Sequence, residues 1–417
     1  MKVLWITNAP LGPLKKKMGI GNLTSGSWLD ASYEAIKDTD IELTVVTLIG
    51  RELFADDGKH KFYGLPGSNK NYNIYSKKNI EAWEKIITEC RPDLVQIWGT
   101  EYKHGLLALR LLINVPAVIY MQGVMSQIGR YYRAGLTLNE LLRTVTIRDI
   151  LKFDWITRLE KNHFKQAIIE AEIINKAGNV IVENQWCAAH CKAINFNVNV
   201  FFSKLIIKNE FFEKEWLPEK MQPFSIITNS PSHPIKGLHI LLRALSIVIK
   251  HFPNTILKIP GISSPFKQTM FDRIKNRGYV KLIKNEIQRF KLVDKIQFLG
   301  RLSSAELADE MSLSNVFIMP SSIENHSSTL IEALVVGIPC ISSNVGGISD
   351  YLKHGVNGLL YRFAEHEVLA VYIMKIFSDM SYAKAIANNG KISARSTRKS
   401  IDVGDDFIRI YKSIIGD

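Results

Sequence analysis

Short apolar runs recur along the chain, at 2–7, 43–48, 94–98, 118–121 and 180–182, and again at 224–228, 256–259, 296–299 and 316–319. Between several of them lie stretches whose apolar positions repeat with helical spacing, notably 28–36 and 237–252. Strands alternating with helices predict doubly wound parallel sheets, so the fold class expected is α/β. One stretch breaks the alternation. Residues 204–223, with Lys204, Lys208, Glu210, Glu213, Lys214, Glu215, Pro218, Glu219, Lys220 and Pro223, are charged and turn-prone, and read as an interdomain connection. The domains predicted are 1–203, then 224–395 beyond the connection, with a tail at 396–417. In that tail Phe407, Ile410, Tyr411 and Ile414 fall on one side of an amphipathic helix.

Composition narrows this only a little. The chain has 417 residues, 46% of them hydrophobic and 22% charged, which suits a globular protein of two or more domains. Lys and Arg exceed Asp and Glu by 53 to 40, and the formal charge of +13 favours anionic partners without choosing among them. Four scattered cysteines, Cys90, Cys187, Cys191 and Cys340, do not make a disulfide framework and point to a reducing compartment. Cys187, His190 and Cys191 lie within about a helical turn but lack a second ligand cluster, so no metal site is assigned. The N-terminal apolar core is too short for a signal peptide, and 106–120 is broken by Arg110, Asn114 and Pro116. The location expected is cytoplasmic. Residues 126–166 are rich in Arg, Lys, Tyr and Trp among aliphatic positions, which fits a charged helix face over a core stripe, a surface for an anionic membrane, or a site for single-stranded nucleic acid, the membrane being preferred of the last two.

The chemistry concentrates in 317–350, FIMPSSIENHSSTLIEALVVGIPCISSNVGGISD. A strand at 316–319 is stopped by Pro320 and Ser321, and loops at such strand ends are where open α/β sheets bind ligands. After the loop, Thr329 and Glu332 have capping-box spacing, Leu330, Ile331, Leu334 and Val335 give an apolar face, and Gly337 with Pro339 ends the helix. The amides of Ser327, Ser328, Thr329 and Leu330 would face the strand end, with Asn325 and His326 just before them, and offer a phosphate site. Glu332, one turn in, would accept hydroxyl groups such as those of a ribose. The ligand implied is a nucleotide.

Glu324 and Glu332 stand eight residues apart and are followed by Ala333-Leu334, Gly337-Ile338-Pro339, a strand and Gly346-Gly347. This closely resembles the donor-binding signature of retaining family 4 glycosyltransferases of the GT-B fold, in which two doubly wound Rossmann-like domains face each other across a cleft. The stretch around Lys236-Gly237, Gly300-Arg301-Leu302 and His354-Gly-Val-Asn-Gly-Leu359 also resembles the family. The resemblance implies that the tail crosses back to brace the first domain, that the second domain holds a nucleotide sugar, and that Lys236 lies at its diphosphate. It further implies that Glu324 orients the sugar, Glu332 holds the ribose, and Arg301 lies toward the base. Transfer would need no cofactor or metal, the nucleotide sugar being a co-substrate.

The chain departs from that family in two places. An Arg usually stands five residues before the Lys, and here the position is Pro231. A His common at the strand end near the transferred sugar is replaced by Gln122, which donates and accepts hydrogen bonds but takes no proton. In the first domain the Gly-rich loop after the first strand, with Gly19 and Gly21 and the run Lys15 to Lys17, would face donor phosphates and acceptor, and Glu183 would lie at another strand end. The activity implied is retaining hexosyl transfer from a UDP-type donor to a saccharide, lipid-linked in capsule, lipopolysaccharide or other surface-polysaccharide synthesis, with no nucleic acid partner. The protein would then work in the cytoplasm, peripherally on the inner face of the membrane. A nucleotide-sugar epimerase and a non-catalytic scaffold of the same fold remain open alternatives.

Overall fold

The computed structural model describes residues 1–20, 27–68, 72–229, 233–266, 277–396 and 400–416. Gly21 and Pro231 lie outside the described residues. The chain forms two compact units: Met1–Ser126 with His163–Ile207 and the C-terminal segment, and Gln127–Asn162 with Lys208–Thr397.

The first unit is built on an eight-stranded sheet in the order β3-β4-β2-β1-β5-β6-β7-β8. Its strands are β1 (Lys2–Thr7), β2 (Glu42–Leu48), β3 (Leu53–Asp56), β4 (Lys61–Leu65), β5 (Leu94–Trp98), β6 (Ala117–Tyr120), β7 (Asn179–Val182) and β8 (Asn199–Phe202). All pairings are parallel except β3 with β4. Because side chains alternate across a sheet, β1 sends Leu4 and Ile6 into the core on one face and Val3 and Trp5 into the core on the other. That is why the run at 2–7 is apolar throughout. The C-terminal helix Ser400–Ile415 belongs to the second of these cores, with Phe407, Ile410 and Tyr411 buried. Its Tyr411 hydroxyl accepts from Trp5 Nε1 at 3.0 Å and donates to Gln96 Oε1, so a buried polar chain fixes the helix on β1 and β5.

The second unit holds a six-stranded, wholly parallel sheet in the order β11-β10-β9-β12-β13-β14. The strands are β9 (Ser225–Thr228), β10 (Ile256–Pro260), β11 (Ile296–Gly300), β12 (Val316–Met319), β13 (Cys340–Ser343) and β14 (Leu359–Tyr361).

Three expectations change. Residues 127–162 fall in the second unit and not the first: Tyr132, Leu136, Leu141 and Ile156 pack into the core beneath β9 and β10. A helical stripe announces that a face is buried, but not which core receives it. The stretch 204–223 does hold a boundary between the units, but it is packed and not an open connection: Ile206, Ile207, Phe211 and Trp216 are buried, and Trp216 bonds through both its nitrogens, to Val336 O and Ser314 O. The unit boundary falls at Ile207/Lys208. Strands β3, β4 and β8, short and mixed in polarity, carried no apolar run long enough to read.

Candidate functional site

In the second unit the strand order reverses between β9 and β12, whose chain continuations go to opposite sides of the sheet. The carboxyl ends of two such strands leave a crevice between their loops. After β9 the chain turns through the 3₁₀ segment Pro234–Lys236 and enters the helix Leu238–His251 by way of Gly237 at φ 69°. A Cβ at Gly237 would stand 1.8 Å from the Pro320 carbonyl oxygen, so glycine is what lets the loop after β12 lie against this turn. Ser322 N donates to Ile235 O at 2.8 Å and closes the contact. The result is chemical. Lys236 Nζ pairs with Glu324 Oε1 at 2.7 Å, and Ser321 Oγ donates to the same oxygen at 2.7 Å. Glu324 is only 10% exposed, and this pairing with a cation and a hydroxyl is what makes its burial tolerable.

The loop carrying Glu324 is held from the other side by the glycine pair. Gly346 has φ 54°, and a Cβ there would meet Glu324 O at 1.8 Å, while Gly347 N donates to that oxygen at 3.1 Å. The next helix, Ser328–Val336, begins one residue pair earlier than its capping-box spacing implied. Ser327 is the cap, its hydroxyl accepting from Leu330 N at 3.3 Å. Thr329 therefore lies inside the helix, and the amide of Leu330 is already engaged. So is that of Ser327, which donates to the Tyr351 hydroxyl at 3.3 Å. Of the four amides proposed for phosphate, those of Ser328 and Thr329 remain as first-turn donors with no acceptor inside the helix. Asn325 is buried, and the His326 ring lies 4.8 Å from that of Tyr351.

Glu332 follows on the same helix. Its carboxyl is pushed up to about 7, chiefly by burial, with the ammonium of Lys208 pulling the other way. Lys208 Nζ also donates to Ser304 Oγ at 3.1 Å. Lys208 was not singled out in the sequence, because it stood in a charged stretch read as a connection. The raised carboxyl has a stability consequence. The folded chain keeps a proton that the unfolded chain releases near 4.5, so the contribution is complete below that pH and is lost as pH rises through about 7. Glu332→Gln should therefore be more stable than the native chain at pH 8, by at most about 3 kcal/mol, and indistinguishable from it near pH 4. Urea unfolding at the two pH values measures this, and an equal difference at both would refute the assignment. Arg301, after β11, is exposed.

The first unit has its own reversal point, at β1 between β2 and β5. There Asn8 Nδ2 donates to Glu101 Oε1 at 2.7 Å and to Gln122 Oε1 at 3.4 Å. Among the described residues, Gln122 Nε2 is a buried atom with no hydrogen-bond partner, and the Glu101 carboxylate, its Oε2 also buried, takes bonds from Asn8 and from the amides of Glu101 and Thr100. Together they offer an acceptor and a donor, which suits a sugar hydroxyl. Burial raises the Glu101 carboxyl above its usual range, opposed by its own backbone amide, the bond from Asn8 and the amide of Thr100. Gly99, at φ 89°, makes room for it, since a Cβ would stand 2.4 Å from Glu101 Oε2. Behind it the fully buried Glu170, pushed by burial to about 7, accepts from Thr100 Oγ1 at 2.6 Å and from Met125 N at 3.0 Å. Asn8, Glu101 and Glu170 were not recognised in the sequence, where each is an isolated polar residue. Only the strand order brings them together.

The remaining residues singled out in the first unit are more scattered. Gly19, at φ 68°, closes the turn after the helix Gly12–Lys17. Lys15 pairs with Asp30 at 2.6 Å and Lys17 donates to Phe54 O at 2.8 Å, so two of the three lysines there serve the fold. Glu183 follows β7, and its neighbour Asn184 caps the helix Gln185–Ile194. Cys187 and Cys191 are buried, and His190 lies against the Trp186 ring.

This geometry can be set beside known proteins. Residues 209–393 match the family described as "Glycosyl transferases group 1". The match spans less than half of the chain. The capsular polysaccharide biosynthesis glycosyltransferase CapM of Staphylococcus aureus is 22% identical over 183 residues, 43% of this chain and 43% of that one. The chain spans less than half the length of the curated relatives it matches. In structure it is similar over its whole length to sucrose-phosphate synthase from Thermosynechococcus elongatus, at TM-score 0.74 and 16% identity, covering 100% of this chain and 99% of that one. It is also similar to Anabaena HepE, a crystal structure in complex with UDP and glucose, at TM-score 0.69 and 17% identity, covering 99% and 100%. At such identities the likeness is one of fold, and that fold is GT-B. The matched residues include Lys236, Arg301, Glu324 and Glu332, whereas Asn8, Glu101 and Gln122 precede them.

Proposed function

We propose that the chain is a retaining, metal-independent hexosyltransferase that moves a sugar from a nucleoside-diphosphate donor to a saccharide acceptor. The observation that carries this reading is the Lys236–Glu324 pair at the β9/β12 reversal point, among the residues that match the group 1 family. In the reaction the bond from the sugar C1 to the β-phosphate oxygen breaks, its electron pair leaving with the diphosphate. A bond forms from the acceptor hydroxyl oxygen to C1 on the same face, and the hydroxyl proton passes to the departing phosphate oxygen. Lys236 and the amides of Ser328 and Thr329 stabilise the charge that develops on the diphosphate, an electrostatic role. Glu324 receives the sugar hydroxyls, and Glu332 the ribose. In place of the arginine missing at Pro231, Arg277 Nη1 lies 3.4 Å from His233 Nε2, three residues from Lys236, and brings a guanidinium to this end of the helix. On the acceptor side, Glu101 Oε2 and Gln122 Nε2 are the groups offered to a hydroxyl.

UDP is the donor nucleotide to test first, because HepE was crystallised with UDP and glucose. A surface polysaccharide is the acceptor class, carried on a lipid, in line with the function named for CapM. Thermal unfolding against UDP, GDP, ADP and CMP tests the donor site. One diphosphate should raise the midpoint by several degrees at about 100 times its dissociation constant, and Glu332→Ala should lose most of that shift. No shift with any of them at millimolar concentration would overturn the reading.

A further inference from the structure

We propose that residues 138–161 form a docking surface for an anionic lipid bilayer. Two short helices carry it, Leu138–Thr144 and Ile147–Lys152, each set by its own capping box, Thr137 with Glu140 and Thr146 with Asp149. Their inward positions are taken by Leu141, Thr144 and Asp149. The larger aliphatic side chains point the other way: Leu142 is 73% exposed, Ile147 74% and Leu151 72%. Leu138 and Leu142 lie a turn apart on one helix, as do Ile147 and Leu151 on the other, so each presents an apolar face to solvent. Phe153, 60% exposed, follows. An open cavity of about 360 Å³ adjoins these helices, with Leu138, Leu142, Ile150 and Trp155 in its lining.

The charges around this surface identify the occupant. Residues 127–162 hold seven Lys or Arg and four Asp or Glu. All four acids are engaged: Glu140 with Arg243, Asp149 at its cap and with Gly278 N, Asp154 with Arg148, and Glu160 with Arg133. Arg143, Lys152, Arg158 and Lys161 are exposed and make no ion pair among the described residues. Arg158 lies over the rings of Phe153 and Trp155. What faces outward is therefore aliphatic and positive at once. A second copy of the chain would bring like charge against like charge across a symmetric interface. Single-stranded nucleic acid would call for stacked aromatic rings where leucine and isoleucine stand. An anionic bilayer accepts both components, with aliphatic groups entering the acyl boundary and cations at the headgroups. The inference goes beyond the donor site and rests on the transferase reading only in that a lipid-linked acceptor gives docking its use.

Co-sedimentation of the full chain with vesicles of phosphatidylcholine, with and without phosphatidylglycerol, tests it. Binding should require phosphatidylglycerol and weaken as salt is raised. Ile147→Ser with Leu151→Ser should lower vesicle affinity at least about tenfold through lost apolar burial, and Lys152→Glu with Lys161→Glu should lower it without altering the fold. Both variants should keep the thermal shift given by a nucleoside diphosphate, which separates failure of docking from failure of the donor site. No binding to anionic vesicles, binding undiminished in the serine variant, or a dimer in solution that the serine variant dissociates would each overturn the proposal.

Discussion

Lys236→Ala is expected to lower turnover by about 10²–10³-fold, the loss typical when one preorganised group facing a developing anion is removed. Glu324 then loses its ion pair and, among the described residues, keeps the side-chain hydrogen bond from Ser321. A carboxylate that is 10% exposed and has lost its cation also costs stability, by about 1–3 kcal/mol. The two effects separate in a cycle with Glu324→Gln. If the pair acts as a unit, the double variant should be little slower than either single one and more stable than Lys236→Ala alone. Strict additivity of the two rate losses would mean that Lys236 and Glu324 act independently, contrary to their 2.7 Å contact.

Gly346→Ala should be, with Gly237→Ala, among the most damaging methyl additions in the second unit. Two independent penalties meet at Gly346: φ is 54°, where alanine is strained, and the added carbon would stand 1.8 Å from Glu324 O, a backbone atom that no side-chain rotation can move. The loop must shift, and Glu324 moves with it. A stability loss of roughly 2–4 kcal/mol, with turnover reduced at least about tenfold, is expected. Gly355→Ala is a suitable control, since it carries the backbone strain at φ 73° with its nearest atom, the Tyr382 hydroxyl, 4.0 Å away. Differential scanning calorimetry and initial rates on both variants measure the outcome. Equal damage in the two would show that strain alone matters and that the close approach at Glu324 does not.

How much of this was legible in the sequence depends on what each residue needs from its surroundings. Val316 to Met319, Pro320 and the Gly337 stop declare a strand, a loop and a helix by local pattern, and the structure places those elements there. Lys236 and Glu324 were each recognisable, and the β9/β12 adjacency explains why they meet. The helix start was less readable, because Ser327, Ser328 and Thr329 are all capping residues, and the choice falls on the one that lets Leu330 and Ile331 turn inward. Glu101 and Asn8 carried no local signal at all, being single residues that only the parallel pairing of β1 with β5 makes neighbours. Residues 127–162 illustrate the same limit on a larger scale. Their basic and aliphatic pattern was plain, yet Leu141 and Ile156 fit equally well against any core, and only the packed structure shows that the second unit receives them.

In the proposed reaction this chain breaks a nucleotide-sugar bond at the Lys236–Glu324 pair and passes the sugar on. Release of free nucleoside diphosphate from UDP-hexose, in the presence and absence of a saccharide acceptor, tests it most directly. The acceptor should stimulate release, and Lys236→Ala should reduce it by at least about a hundredfold. Conversion of the sugar nucleotide to an epimer with no acceptor consumed, or release at the same rate in the native chain and in Lys236→Ala, would contradict that reaction.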